Sequence, residues 1–157
     1  MSSTIQPLEF NGNWELSPSI ESTDHLSLKN QYGLFINGKF VNPLSKKFFP
    51  TINPSNEATI AMIAEAQEKD VNLALKSARD AYDGYWNKMP SKERAKYIYR
   101  IARMIQEKSK ELSVIETLDG GKPIRESRDI DIPLAAAHFF YYAGWADKLK
   151  FAFPNKN

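Results

Sequence analysis

Glu116-Thr117-Leu118-Asp119-Gly120-Gly121-Lys122-Pro123 is the stretch on which the organisation of this chain turns. Read by itself it closes a helix: a glycine takes up the left-handed conformation that ends one, and Pro123 forbids continuation. Working backward, Ile115, Leu112, Ile105, Ile101 and Ile98 form a single stripe leading back to Pro90-Ser91. Ser91 is the expected N-cap and Glu93 an acid in the first turn. Working forward, Asp129, Asp131 and Pro133 announce another helix, because acids and proline favour an N-terminus. That helix continues through Leu134, Phe139, Phe140, Tyr141, Tyr142, Trp145 and Leu149. It is apolar almost all round and needs cover on several sides.

Further upstream, Val71, Ala74, Leu75, Ala78, Ala81, Tyr82 and Tyr85 recur at three- and four-residue spacing and predict a helix from Glu68, ending near Gly84. Before it the pattern is that of strands. Leu34-Phe35-Ile36 and Phe40-Val41 flank Asn37-Gly38, a dipeptide suited to a tight hairpin turn. Phe48-Phe49-Pro50-Thr51-Ile52-Asn53-Pro54 is extended, since its two prolines exclude a regular helix there, and Ala58–Ala64 is expected to supply another strand. Residues 1–31 carry scattered Ser, Asn and Pro with isolated apolar residues. They read as an extended or poorly ordered arm, on which Trp14 is expected to dock against the body.

Composition excludes several functions. The 157 residues are 42% hydrophobic and 25% charged, with 21 Lys and Arg against 19 Asp and Glu. A net charge of +2 leaves no cation excess for a nucleic-acid binder. The absence of cysteine removes disulfides, thiolate metal sites and a thiol nucleophile. No apolar run approaches a membrane span, and Lys29 is the only Lys or Arg among the first 30 residues, so a cytoplasmic location is expected. No Gly-x-Gly-x-x-Gly turn, Walker loop or Gly-x-Ser-x-Gly elbow is present. His138 reads as a packed core residue. Arg94, Lys96, Arg100, Arg103, Lys108 and Lys110, mixed with Glu93, Glu107 and Glu111, read as a solvated, ion-paired helix face. On spacing alone Asp119 belongs to a helix end rather than to a site.

Four segments together resemble the aldehyde dehydrogenase family. They are Leu34–Phe40 followed by Thr51-Ile52-Asn53-Pro54; Glu65-Ala66 leading through Asp70-Val71 to Ala81-Tyr82; Glu116–Pro123; and Tyr141-Tyr142-Ala143-Gly144-Trp145-Ala146-Asp147-Lys148. Their order and spacing make the match specific over about residues 32–150, with Gly120 standing where many members carry asparagine. The resemblance implies an α/β fold. Residues 32–157 would form the N-terminal part of a cofactor-binding domain, with a β-hairpin and short strands followed by three main helices and an incomplete sheet.

The activity implied is NAD- or NADP-dependent oxidation of an aldehyde to a carboxylic acid. A cysteine thiolate attacks the aldehyde, and the thioester left after hydride transfer is hydrolysed. In the family, the oxyanion asparagine, the cofactor turn, the glutamate and the cysteine all follow the matched region. The expectation is therefore an N-terminal fragment, inactive in isolation, that binds neither NAD nor NADP well by itself. By resemblance, Thr51, Ile52 through its carbonyl, and Asp119 occupy positions of a monovalent cation site, and Leu134 lies at the mouth of the substrate tunnel. Self-association or pairing with dehydrogenase subunits is expected, and no nucleic-acid or membrane partner. Two other readings stand beside this: a free-standing module that associates with full-length dehydrogenase subunits, and a helical domain with an unrelated binding role.

Overall fold

The structure, a computed structural model, describes residues 23–154; the expected docking of Trp14 lies outside them. After a single 3-10 turn at Thr23–His25 the chain runs extended into the first strand, β1 (Gln31–Tyr32). β2 (Leu34–Ile36) and β3 (Lys39–Val41) form the expected hairpin, with Leu34 opposite Val41 and Ile36 opposite Lys39. Asn37 and Gly38 both have positive φ, 52° and 73°, the pair of values that a two-residue turn of this twist requires.

β4 (Phe48–Ile52) and β5 (Thr59–Ala64) pair antiparallel, and β1 joins β5 in parallel, giving the order β1-β5-β4. Pro50 is tolerated because β4 is an edge strand, where a missing N–H costs no ladder bond. The register slips between Thr51 and Ile52. The connection that follows is tied by Asn53, whose Oδ1 accepts from the Ser55 amide at 2.9 Å and the Ser55 hydroxyl at 2.8 Å. Asn53 is itself buried, so these bonds satisfy a polar group that water cannot reach.

The helices are α1 (Glu68–Ala81), α2 (Ser91–Glu107), α3 (Ser109–Gly120), α4 (Ile124–Glu126), α5 (Ile132–Trp145) and α6 (Leu149–Ala152). At the start of α1, Asp70 is buried and uses both carboxylate oxygens: Oδ2 accepts from the Gln67 amide at 3.0 Å, Oδ1 from the Leu44 amide at 2.9 Å. One side chain thus caps the helix and fastens the segment that follows the hairpin. α2 and α5 make the largest helix contact, brought close by Ala102, Ala136 and Ala143 and closed by an edge-on stack of Tyr99 and Phe140 at 4.8 Å.

Several local expectations shift. α1 does not stop at Gly84 but widens into a π-helical turn, Tyr82–Trp86, that carries the backbone past it. Pro90, not Ser91, is the N-cap of α2; the Ser91 hydroxyl instead accepts from Arg94 Nη2 at 3.2 Å. The single helix expected from Ser91 to Gly120 is two, broken at Lys108 (φ −102°, ψ 15°). Its apolar stripe skips from Ile105 to Leu112, so no apolar side chain pins the backbone at Lys108 and Ser109. The last long helical run begins at Ile124 rather than near Asp131. A second π-helical turn, Ser127–Asp131, joins α4 to α5 just before Pro133. Proline cannot supply its N–H, and its ring crowds the carbonyl four residues back; the wider turn relieves both.

Candidate functional site

The turn after α3 is where separate parts of the chain converge. Asp119 sits in the last turn of α3 and accepts a hydrogen bond from the Thr51 hydroxyl at the end of β4. Sixty-eight residues of sequence separate the two side chains. Ile52 follows at the register slip, its side chain exposed. Gly121 takes the left-handed conformation, φ 69°, and ends the helix as expected. A Cβ there would lie 2.5 Å from Pro54 Cγ, so glycine is required twice over.

Lys122 then reaches in two directions. Its Nζ lies 2.9 Å from Glu116 Oε1 on α3 and 2.8 Å from Asp131 Oδ2 at the start of α5. The two carboxylates, Asp131 first, hold the ammonium well above the ordinary lysine range. This ion-pair bridge links α3 to the residue that precedes α5. Asp129 is held below the usual carboxylate range by its two-point contact with Arg128. Both acids expected at a helix N-terminus are therefore spent on ion pairs.

Behind the bridge runs a seam of hydroxyls. Thr117 Oγ1 donates to Ser127 Oγ at 3.0 Å, and Ser113 Oγ donates to the Ser109 carbonyl at 2.6 Å. Ser113 and Ser127 are essentially inaccessible. Nothing in the spacing of these serines marked them out; only the close packing of α3 on the second π-turn does.

Beside Asp119, the sheet and α3 enclose a largely apolar cleft of about 510 Å³. Tyr32, Phe49, Ile60, Ile63, Ile115 and Leu118 are among the residues lining it, with Thr51 and Asp119 at its polar end. Thr51 and Asp119 are thus brought together by a hydrogen bond, with Ile52 adjacent in the chain. Leu134 stands apart, half exposed in the first turn of α5 and outside this cleft. His138 corrects an expectation: it is exposed, because the side of α5 facing α2 is taken by small residues and Phe140. The ion-paired face is present, with Lys96–Glu93 at 2.7 Å and Arg103–Glu107 at 3.4 Å on α2 and Lys108–Glu111 at 2.8 Å at the start of α3. Among the described residues no helix is long and apolar enough to cross a membrane. Nor do three His, Cys, Asp or Glu side chains gather there as a metal cluster.

The described residues thus form a mixed helix and strand arrangement with incomplete sheets. The chain belongs to the aldehyde dehydrogenase family, whose model matches residues 40–156. It is 46% identical over 117 residues to aldehyde dehydrogenase family 2 member B4, mitochondrial, of Arabidopsis thaliana, covering 74% of this chain and 22% of that protein. An aldehyde dehydrogenase of Aspergillus niger is 38% identical over 135 residues, 86% of this chain and 27% of its own. Among solved structures, the NAD+ complex of an aldehyde dehydrogenase from Bacillus cereus superposes with a TM-score of 0.71 at 41% identity. The superposition covers 83% of this chain and 26% of that one. The chain spans about a quarter of the length of the relatives it matches.

Proposed function

We propose that residues 32–157 serve as the opening part of the cofactor domain of an enzyme that oxidises an aldehyde to a carboxylic acid with NAD or NADP, preceded by an arm over residues 1–31. The observation that carries this reading is the match over residues 40–156, together with the meeting of Thr51 and Asp119. In this role the segment supplies architecture rather than reacting groups. The 157 residues contain no cysteine, so the attacking thiolate comes from elsewhere in the assembled enzyme. The Lys122 bridge sets α5, and α5 presents Leu134 to the mouth of the substrate tunnel. Cytoplasmic residence is part of the same proposal.

The Thr51 hydroxyl meets the Asp119 carboxylate, and with the Ile52 carbonyl next in the chain these oxygens would suit a hard cation. We assign them to a monovalent cation whose charge would hold the strand end and the helix end together.

The test is a chimaera. Residues 32–154 replace the matching segment of the Bacillus cereus enzyme, and aldehyde-dependent NADH formation is followed at 340 nm. Turnover within about tenfold of the parent supports the reading, because a well-fitted segment leaves the reacting groups in place. A folded chimaera without turnover overturns it. The purified 157-residue chain is expected to form no NADH or NADPH from aldehydes.

A further inference from the structure

α4, the second π-helical turn and α5 form one helical run, residues 124–145, that lies antiparallel to α2 and α3. Near its start Ser127 is wholly buried against α3, where Thr117 Oγ1 donates to its hydroxyl and Ser113 Oγ lies 3.5 Å from its carbonyl. Further on, Phe140 stacks on Tyr99 of α2, and Ala136 and Ala143 are buried. An α-helix turns about 100° per residue, so a straight run that buried Ser127 would go on to bury Leu134, His138 and Tyr141. Those three are exposed. The inward side follows Ser127, Ile132, Ala136, Phe140 and Ala143 instead, all buried or half-buried. Its first step is one residue longer than a helical turn allows. The surplus residue falls in the π-helical turn, where the Ile132 amide donates to the Ser127 carbonyl five residues back.

The hydrophobic pattern of α5 does not decide which side faces α2. A helix that is apolar almost all round carries little register information, because several of its sides bury comparable apolar area. Buried polar groups do carry it. Rotating Ser127 away from Thr117 would cost a hydrogen bond where water does not reach. Pro133 keeps the surplus residue at this level, because closing the turn would press its ring against the carbonyl four residues back. The hydroxyl seam thus fixes one end of the run, and Ala102, Ala136 and Ala143 set the close approach at the other.

We infer that the turn Ser127–Asp131 is the register lock of α5. By absorbing one surplus residue it satisfies the hydroxyl seam on α3 and the small-residue contact on α2 together, and so keeps Leu134 facing outward. Thr117 and Ser127 are then positioning residues: they act on the outward side of α5 through the helix, not by touching anything on it. The consequence for a substrate tunnel at Leu134 rests on the dehydrogenase reading; the register itself does not.

Thiol labelling tests it, since in a chain without cysteine a single introduced thiol reports its own exposure. In the full 157-residue chain Ala136→Cys should react with a maleimide at least about tenfold more slowly than His138→Cys. Thr117→Val combined with Ser127→Ala removes both partners of the hydroxyl bond and orphans neither, so the melting temperature should change little. The labelling ratio of the two cysteines should nevertheless fall towards one in that background. Deletions locate the surplus residue. Pro133→Ala with Ile130 deleted converts the turn to plain α-helix and should melt within about 5 °C of Pro133→Ala alone. Pro133→Ala with Ala137 deleted throws Phe140 and Ala143 out of line with Ala136, and should melt at least about 10 °C lower. The inference is overturned if the two cysteines label equally in the parent chain, if the hydroxyl double variant keeps the parent ratio, or if the two deletions cost the same. A chimaera without turnover would defeat the proposed function and leave these labelling and melting results standing.

Discussion

Gly121 and Asp119 show how much a single position can carry in this turn. The glycine stands at φ 69° with Pro54 pressed against the space a Cβ would fill. Gly121→Ala meets both the left-handed penalty and an overpacked contact, and should cost about 2–4 kcal/mol, read as a lower urea midpoint at unchanged slope. Gly120→Ala has no such contact and no positive φ, and should lie within about 0.5 kcal/mol of wild type. Asp119→Asn keeps the shape of the side chain and removes its charge. If the oxygen set of Thr51, Ile52 and Asp119 holds a monovalent cation, the sodium-23 NMR line broadening produced by the chimaera should disappear in that variant. Broadening equal to that of the parent would remove Asp119 from the site. The glycine's role was legible from its position before Lys122-Pro123. Its partner Pro54 was not, because a contact across that much sequence leaves no local periodicity. Asp119 was ambiguous for the same reason: spacing placed it at a helix end, and only the resemblance connected it to Thr51.

Helix boundaries were legible where apolar spacing was unbroken and illegible where backbone geometry compensated for a misfit. The hairpin, the two extended segments and the existence of the main helices follow from turn chemistry, prolines and helical stripes; the pairing of α2 with α5 does not. The two π-helical turns do not, since each inserts one residue into a pattern that still looks periodic over a short window. Pro133 therefore reads as the start of a helix in sequence, although it sits within a longer run in the structure. Asp70 offers a test at this scale. Amide hydrogen bonds from Gln67 and Leu44 hold its carboxyl below the usual carboxylate value. The ionised form is thus favoured in the folded state. Its contribution is fully present above the ordinary carboxylate pKa of about 3.9 and is lost as pH falls through the lower native value. Wild type should therefore lose thermal stability faster than Asp70→Asn below about pH 4, and Asp70→Asn should melt lower at pH 7. Parallel melting curves across that range would refute this assignment.

For the molecule as a whole, membership of the aldehyde dehydrogenase family and the exposed helical faces explain each other. Among the described residues a sequence with normal hydrophobic content buries mostly alanine, and it matches about a quarter of the length of its relatives. The sheet order carries a kinetic consequence of its own. β4 and β5 are neighbours in sequence and close a short loop, whereas β1 reaches β5 only by passing around both hairpin strands and β4, pairing Gln31 with Met62. Closing the longer loop costs more chain entropy, and only two residue pairs are gained by it. The amide of Met62, which donates to the Asn30 carbonyl at 2.9 Å, should exchange with solvent sooner than the amides that β4 and β5 protect between them. β1 would then be the last strand to form and the first to let go.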